Sequence, residues 1–224
     1  MTTEKQALVL DFGGVISRTM FETHPITERA LGLASGSLTW RGPFDPASDS
    51  LWVDMQENRI TERDYWRMRV AEVGSLFGEQ WEMSDFVRRA RGDDPMTTMR
   101  PEAVRTIEAA AAAGKRLAIL SNELDLFYGA GFTKRFPLLS NFDVVIDATY
   151  TGILKPDPRA YQLCLEALKL PADQCVFVDD QRRNIDGAEK VGMSTVHFDV
   201  REPKASYAQA LTKLGISTDV LDVA

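Results

Sequence analysis

Cysteine and histidine are scarce in this chain, with two of each among 224 residues. Cys164 and Cys175 are too few for a disulfide framework. One falls in an amphipathic helical pattern and the other opens an apolar run, so both read as buried thiols. Positive charge is also in deficit: 26 Lys and Arg against 33 Asp and Glu leave a net charge of -7. That balance disfavours nonspecific binding to nucleic acid or anionic membranes. It leaves small anionic substrates open, because one bound cation outweighs a diffuse negative surface. No apolar run approaches the roughly 18 to 20 residues that span a bilayer. The opening MTTEKQALVLDF has neither the basic region nor the long apolar stretch of a secretory signal. No internal repeat is visible, and low complexity is confined to Ala109–Ala113. The expectation is a cytoplasmic protein. Its 44% hydrophobic and 26% charged residues make an ordinary globular composition.

The chain does contain short, nearly continuous apolar runs: ALVLD at 7–11, RLAIL at 116–120, DVVI at 143–146 and CVFV at 175–178. A weaker one, TVHF, lies at 195–198. Such runs fit strands covered on both faces, as in a parallel sheet. Amphipathic helices separate them. One opens at Pro101 and stops at Gly114, a second runs over 158–168 before Pro171, and a third over 184–191 before Gly192. Strands alternating with helices predict a Rossmann-like, doubly wound parallel α/β sheet. From about Glu22 to Arg91 the pattern turns helical and holds no buried strand. Thr61 and Asp64 predict a capping box for a helix over 61–76. All four tryptophans lie in this region, as does His24. It reads as a helical cap, residues 18–98, inserted into a core of 1–17 and 99–224, with hinges at 17–20 and 92–98. Trp40, in a loop beside Gly42 and Pro43, is the tryptophan best suited to a pocket; the others suit a bundle core.

Polar residues recur at the predicted carboxyl ends of the strands, where open parallel sheets bind ligands. Asp11 follows the first, Ser121-Asn122 the second, Lys155 lies on the loop after the third, and Asp179-Asp180 follows the fourth. A carboxylate can attack phosphorus and divide one displacement into two easier ones. Two anions need a hard cation between them, and magnesium prefers oxygen ligands. Asp11 with Asp179, Asp180 or both supplies carboxylates. Ser121 and Asn122 offer a hydroxyl and an amide to a phosphoryl group, Gly14 is the backbone position expected on the substrate side, and Lys155 neutralises developing charge.

This ordered set resembles the haloacid dehalogenase superfamily of hydrolases. VLDFGGVIS, AILSN, ILKPDPRAY and VFVDDQRRNIDGAEKVGM look like its four motifs in order, over nearly the whole chain. The wording is closest to the phosphatase domain that precedes soluble epoxide hydrolases and to bacterial sugar-phosphate phosphatases. The resemblance implies that Asp11 is the nucleophile, Ser121 the phosphate-binding serine and Lys155 the motif lysine. It further implies magnesium held by Asp11, Asp179, Asp180 and the main-chain carbonyl of Gly13, with a small phosphorylated metabolite as substrate.

One departure matters. Most phosphatases of the superfamily carry a second aspartate two residues after the nucleophile, as general acid and base. Here that place is Gly13. Three readings follow: a phosphatase for substrates with good leaving groups, such as anomeric sugar or acyl phosphates; a weak dephosphorylase; or a non-catalytic module that binds a phosphorylated ligand or a protein. The first is preferred. A 2-haloacid dehalogenase is disfavoured by the Asp179-Asp180 pair. Asp157 and Asn184 each suit a helix cap as well as a site role. His24 suits either a helix start or a replacement proton donor, and His197 a structural place in the last strand.

Overall fold

The apolar runs form five parallel strands: β1 Ala7–Leu10, β2 Arg116–Ser121, β3 Val144–Asp147, β4 Cys175–Asp179 and β5 Ser194–His197. A computed structural model describes residues 4–91, 94–132 and 136–222. The strand order is β3-β2-β1-β4-β5, so the first strand lies at the centre and the topology reverses beside it. Ala7 to Leu10 pair with Arg116 to Ile119 on one side and Cys175 to Val178 on the other. Alternation divides each strand between two buried faces. Val9, Ala118, Leu120 and Phe177 pack with Tyr161, Cys164, Leu168, Ile185 and Ala188, from the helices Pro158–Leu168 and Arg182–Lys190. Leu8, Leu10, Ile119 and Val178 are equally buried on the opposite face, which the helices Pro101–Ala112 and Pro203–Leu214 cover. Burying each such side chain contributes about 1.5–3 kcal/mol. This is the doubly wound parallel α/β sheet that the sequence predicts. Among the described residues, no helix is long and apolar enough to cross a membrane.

The chain divides into two compact units. One comprises Met1–Thr19, Met99–Leu124 and Thr133–Ala224; the other comprises Met20–Thr98 and Asp125–Phe132. The expected hinge at 92–98 lies partly outside the described residues, at Gly92 and Asp93; Pro95–Thr98 is a 3-10 turn. Asp125–Phe132 groups with the helical unit, although nothing in its sequence separates it from the segment that follows β2.

The second unit is built from the helices His24–Leu31, Ser50–Gln56, Glu62–Ser75 and Met83–Arg91. The capping box forms in both directions: Asp64 donates its N–H to Thr61 Oγ1 at 3.0 Å, and Thr61 donates its N–H to Asp64 Oδ2 at 3.2 Å. Trp40 is core rather than pocket. It is 5% exposed, edge-on to Phe21 and Trp66, with the Arg69 guanidinium against its ring. In the same core Asp49 accepts from the N–H groups of Gly42 and Trp52, from the Tyr65 hydroxyl and from Arg69. His24 is buried edge-on to Trp40, with both ring nitrogens unpartnered among the described residues. Burial, helped by Arg41, pushes its pKa down from 6.5 to about 4. A ring that stays neutral at physiological pH suits the structural reading and not that of a poised proton donor.

Candidate active site

The central position of β1 sets the site. Its last residue, Leu10, is followed by Asp11, whose N–H donates to the Val178 carbonyl at 2.9 Å and so keeps it in the sheet. Asp179 ends β4 next door. Lys155 reaches between the two: its Nζ stands 2.8 Å from Asp11 Oδ1 and 2.6 Å from Asp179 Oδ2. The Lys155 and Asp179 side chains are 1% and 0% exposed, and that of Asp11 is 13% exposed. Burial opposes the ammonium, but the two carboxylates outweigh it and raise the lysine pKa above its ordinary value. Lys155 therefore stays charged at any physiological pH.

One oxygen from each of Asp11, Asp179 and Asp180 lies within 4.8 Å of the others. Lys155 bonds two of these acids, and the closeness of all three is of the kind a divalent cation stabilises. All three donors are hard oxygens of the kind magnesium takes. Beside them Asn184 donates from Nδ2 to both Asp179 oxygens at 3.1 Å, while its own Oδ1 is buried without a partner among the described residues. A buried polar atom of that kind is uncommon, and the shell of a hydrated cation would satisfy it. The residues fit the ion. Asp179 also accepts the Gln181 N–H at 2.8 Å. With Lys155 and Asn184 on it as well, its carboxylate is near its capacity of about four donors. Asp11 and Asp180 are the better placed to face a cation.

The backbone after Asp11 turns sharply. Gly14 has φ +80°, and a Cβ there would stand 2.5 Å from Asp180 Oδ2. Glycine at this position thus makes room for the Asp180 carboxylate, a steric role beside the substrate-side one expected of it. Gly13 differs: at φ -70° and ψ 127° its backbone suits any residue, and an added Cβ would meet nothing within 4 Å.

Ser121 ends β2, 6% exposed, its Oγ 3.4 Å from the Glu123 N–H. Asn122 is engaged elsewhere than expected. Its Oδ1 accepts the Lys155 N–H at 2.7 Å and its Nδ2 donates to the Lys155 carbonyl at 3.2 Å. The amide that the sequence assigns to substrate grips the main chain of the lysine. Asp157 caps the helix Pro158–Leu168 by accepting the Arg159 N–H, and Arg159 holds its carboxyl down at about 2. His197 donates from Nε2 to the Asp180 carbonyl at 3.1 Å. Arg182 is exposed and paired with Asp186 and Glu189. Sequence reasoning missed Tyr161, which donates to the Asn184 carbonyl at 2.7 Å, and it missed Arg100 and Tyr207, which hold the loop after Asp11. Tyr161 is an apolar-face position of its helix, a pattern that does not reveal what its hydroxyl reaches.

A carboxylate bonded to a buried lysine, at the carboxyl end of a parallel sheet and among further acids, is an arrangement suited to a hydrolase. The particular family follows from comparison: the profile of the haloacid dehalogenase-like hydrolases matches residues 5–192, and the chain belongs to that family. Phosphatase MT3486 of Mycobacterium tuberculosis (strain CDC 1551 / Oshkosh) is 31% identical over 125 residues, 56% of this chain and 54% of that protein. (S)-2-haloacid dehalogenase 4A of Burkholderia cepacia is 35% identical over 98 residues, 44% of this chain and 42% of that one. Bifunctional epoxide hydrolase 2 of Rattus norvegicus is 36% identical over 59 residues, 26% and 11% respectively. The chain thus spans about half or less of the length of these curated relatives. A phosphatase and a haloacid dehalogenase both stand among them by name.

Proposed function

We propose that the protein is a magnesium-dependent phosphatase acting on a small phosphorylated metabolite through an aspartyl-phosphate at Asp11. The observation that carries this reading is the gathering of acids at the strand ends: one oxygen from each of Asp11, Asp179 and Asp180 lies within 4.8 Å of the others, with the Lys155 ammonium bonded to two of them. Attack at a carbon bearing halide needs no metal and so leaves three clustered carboxylates without a role. Magnesium held by Asp11, Asp180 and the Gly13 carbonyl would supply the charge neutralisation that lets a carboxylate approach a phosphoryl group. Lys155 fixes one oxygen of Asp11 and so orients the nucleophile. Asp11 attacks phosphorus, an acyl-phosphate O–P bond forms, and the bond to the leaving oxygen breaks. Ser121 binds a phosphoryl oxygen. Water then hydrolyses the aspartyl-phosphate, releasing phosphate and restoring the carboxylate. Because Gly13 carries no proton donor, the reading favours leaving groups that depart without one, such as anomeric sugar phosphates or acyl phosphates. The proposal keeps the cytoplasm as the compartment. The support is that Cys164 and Cys175 are buried free thiols, in keeping with a reducing compartment.

The test is phosphate release from a panel of sugar, nucleotide and acyl phosphates, with magnesium and with chelator. Asp11→Asn is expected to lose at least about 10³-fold in kcat, and chelator to silence the native protein. Halide release from 2-haloacids without added metal would transfer the protein to the dehalogenases. Silence on both panels, with tight binding of a phosphorylated ligand, would make it a binding module.

A further inference from the structure

Arg100 belongs to none of the four motifs, yet it is only 3% exposed. Burying a guanidinium costs several kcal/mol unless its surroundings are well matched, so its contacts call for a local reason. Pro101, at the first position of the helix Pro101–Ala112, holds Arg100 extended at φ -78° and ψ 127°. From there its main-chain N–H donates to the Ile16 carbonyl at 3.0 Å. Its Nε donates to the Gly14 carbonyl at 3.0 Å, and the guanidinium carbon stands 5.5 Å from the Phe198 ring centroid. The buried Tyr207 donates its hydroxyl to the Val15 carbonyl at 2.9 Å, and Ser17 its N–H to the Phe12 carbonyl at 2.9 Å. The carbonyls of Phe12, Gly14, Val15 and Ile16, on both sides of Gly13, are therefore each tied to the protein. Peptide groups are planar and trans. Fixing the Gly14 carbonyl thus fixes the plane it shares with Val15 and the α-carbon against which the Asp180 carboxylate rests.

We propose that Arg100 is the positioning residue of the loop after Asp11: it holds the Gly14 peptide so that the Gly13 carbonyl and the Asp180 carboxylate stay aligned with Asp11. This rests on the phosphatase reading above. Tyr207 assists from the neighbouring carbonyl. Lysine would keep the charge at this place but not the rigid planar fork.

The experiment compares Arg100→Met and Arg100→Lys with the native protein, reading kcat, KM, thermal midpoint and magnesium affinity by calorimetry. Arg100→Met is expected to lower kcat by about 10²-fold, the scale of a 1 Å misplacement, with KM within about twofold. Magnesium binding should weaken by about tenfold, as for residues that orient metal ligands. Arg100→Lys should fall between the two at a near-native midpoint. Should Arg100→Met fail to fold, Arg100→Lys decides: lowered kcat and magnesium affinity support the proposal, and native values overturn it. A folded Arg100→Met with unchanged kcat and magnesium affinity also overturns it. So does a kcat that falls only with the folded fraction. If the native protein binds magnesium but releases no phosphate, the phosphatase reading fails by itself, and the calorimetric comparison still decides the role of Arg100. A native protein that binds no magnesium overturns both.

Discussion

Each unit of the protein buries a cluster of opposite charges, and the two clusters crowd their carboxylates differently. In the helical unit Asp49 accepts from four donors, and Arg69, which pairs with it, also pairs with Glu72. At the carboxyl ends of the strands, Lys155 bonds Asp11 and Asp179, and Asp180 brings a third carboxylate oxygen within 4.8 Å of theirs; each cluster also holds one buried polar atom without a partner among the described residues, Arg69 Nε and Asn184 Oδ1. One buried carboxylate met by four donors serves the fold. Three carboxylates brought within 4.8 Å of one another suit the cation proposed for them above. Burial of charge does not by itself mark a function; the crowding of like charges is the more telling sign.

The largest test of that contrast restores what the acidic cluster lacks. Gly13→Asp enters a permitted backbone conformation and open space. It is expected to raise turnover of phosphate esters with poor leaving groups by about 10²–10⁴-fold, measured as kcat on an alkyl phosphate. No gain in a folded variant would detach Gly13 from the acid–base role. Next comes the Asp49 cluster. Asp49→Asn strands Arg69 without its buried partner and should cost about 3–5 kcal/mol in urea unfolding. Asp11→Asn, by contrast, relieves the crowding of three carboxylates and should leave the unfolding midpoint equal or higher. Equal losses from both substitutions would erase the difference between the two clusters.

A third test concerns acid. The His24 ring takes up its proton near pH 4 when folded and near 6.5 when unfolded. Between those values the unfolded chain binds more protons, so stability falls as pH falls from 6.5 to 4, by about 3 kcal/mol in total. His24→Leu should remove that part of the acid loss, seen by comparing unfolding free energies of both proteins at pH 7, 5.5 and 4.5; parallel curves would refute it. The smallest effect is at the helix start. Thr61→Ala breaks the capping box and should cost about 1 kcal/mol, readable as a lowered unfolding midpoint.

The strands were legible in the sequence to within a residue or so, because a strand buried on both faces writes an uninterrupted apolar run, as at Ala7–Leu10 and Cys175–Asp179. Asp11, Lys155, Asp179 and Asp180 were legible because acids and a lysine at the ends of such runs have no packing reason to be there. The hold of the Asn122 amide on the peptide of Lys155 was not legible, since that partner lies far along the chain and no local period records such a pairing. Arg100 escaped for the same reason: next to Pro101 it looks like a residue before a helix, and only the folded chain brings it to Gly14. Trp40 was misplaced because a loop position in sequence says nothing of how deeply the loop is folded in.

The middle place of β1 has a consequence for how the chain acquires its activity. This strand leaves the ribosome before both of its neighbours, which begin only at Arg116 and Cys175. Until the second of them has been synthesised, Leu8 to Leu10 keep one edge unpaired, and Asp11 lacks the two acids that come to face it. Pairings this distant in sequence form slowly and expose unpaired edges meanwhile. The acid cluster is therefore complete only once β4 has been synthesised, late in translation, and the central strand waits until then for its second neighbour.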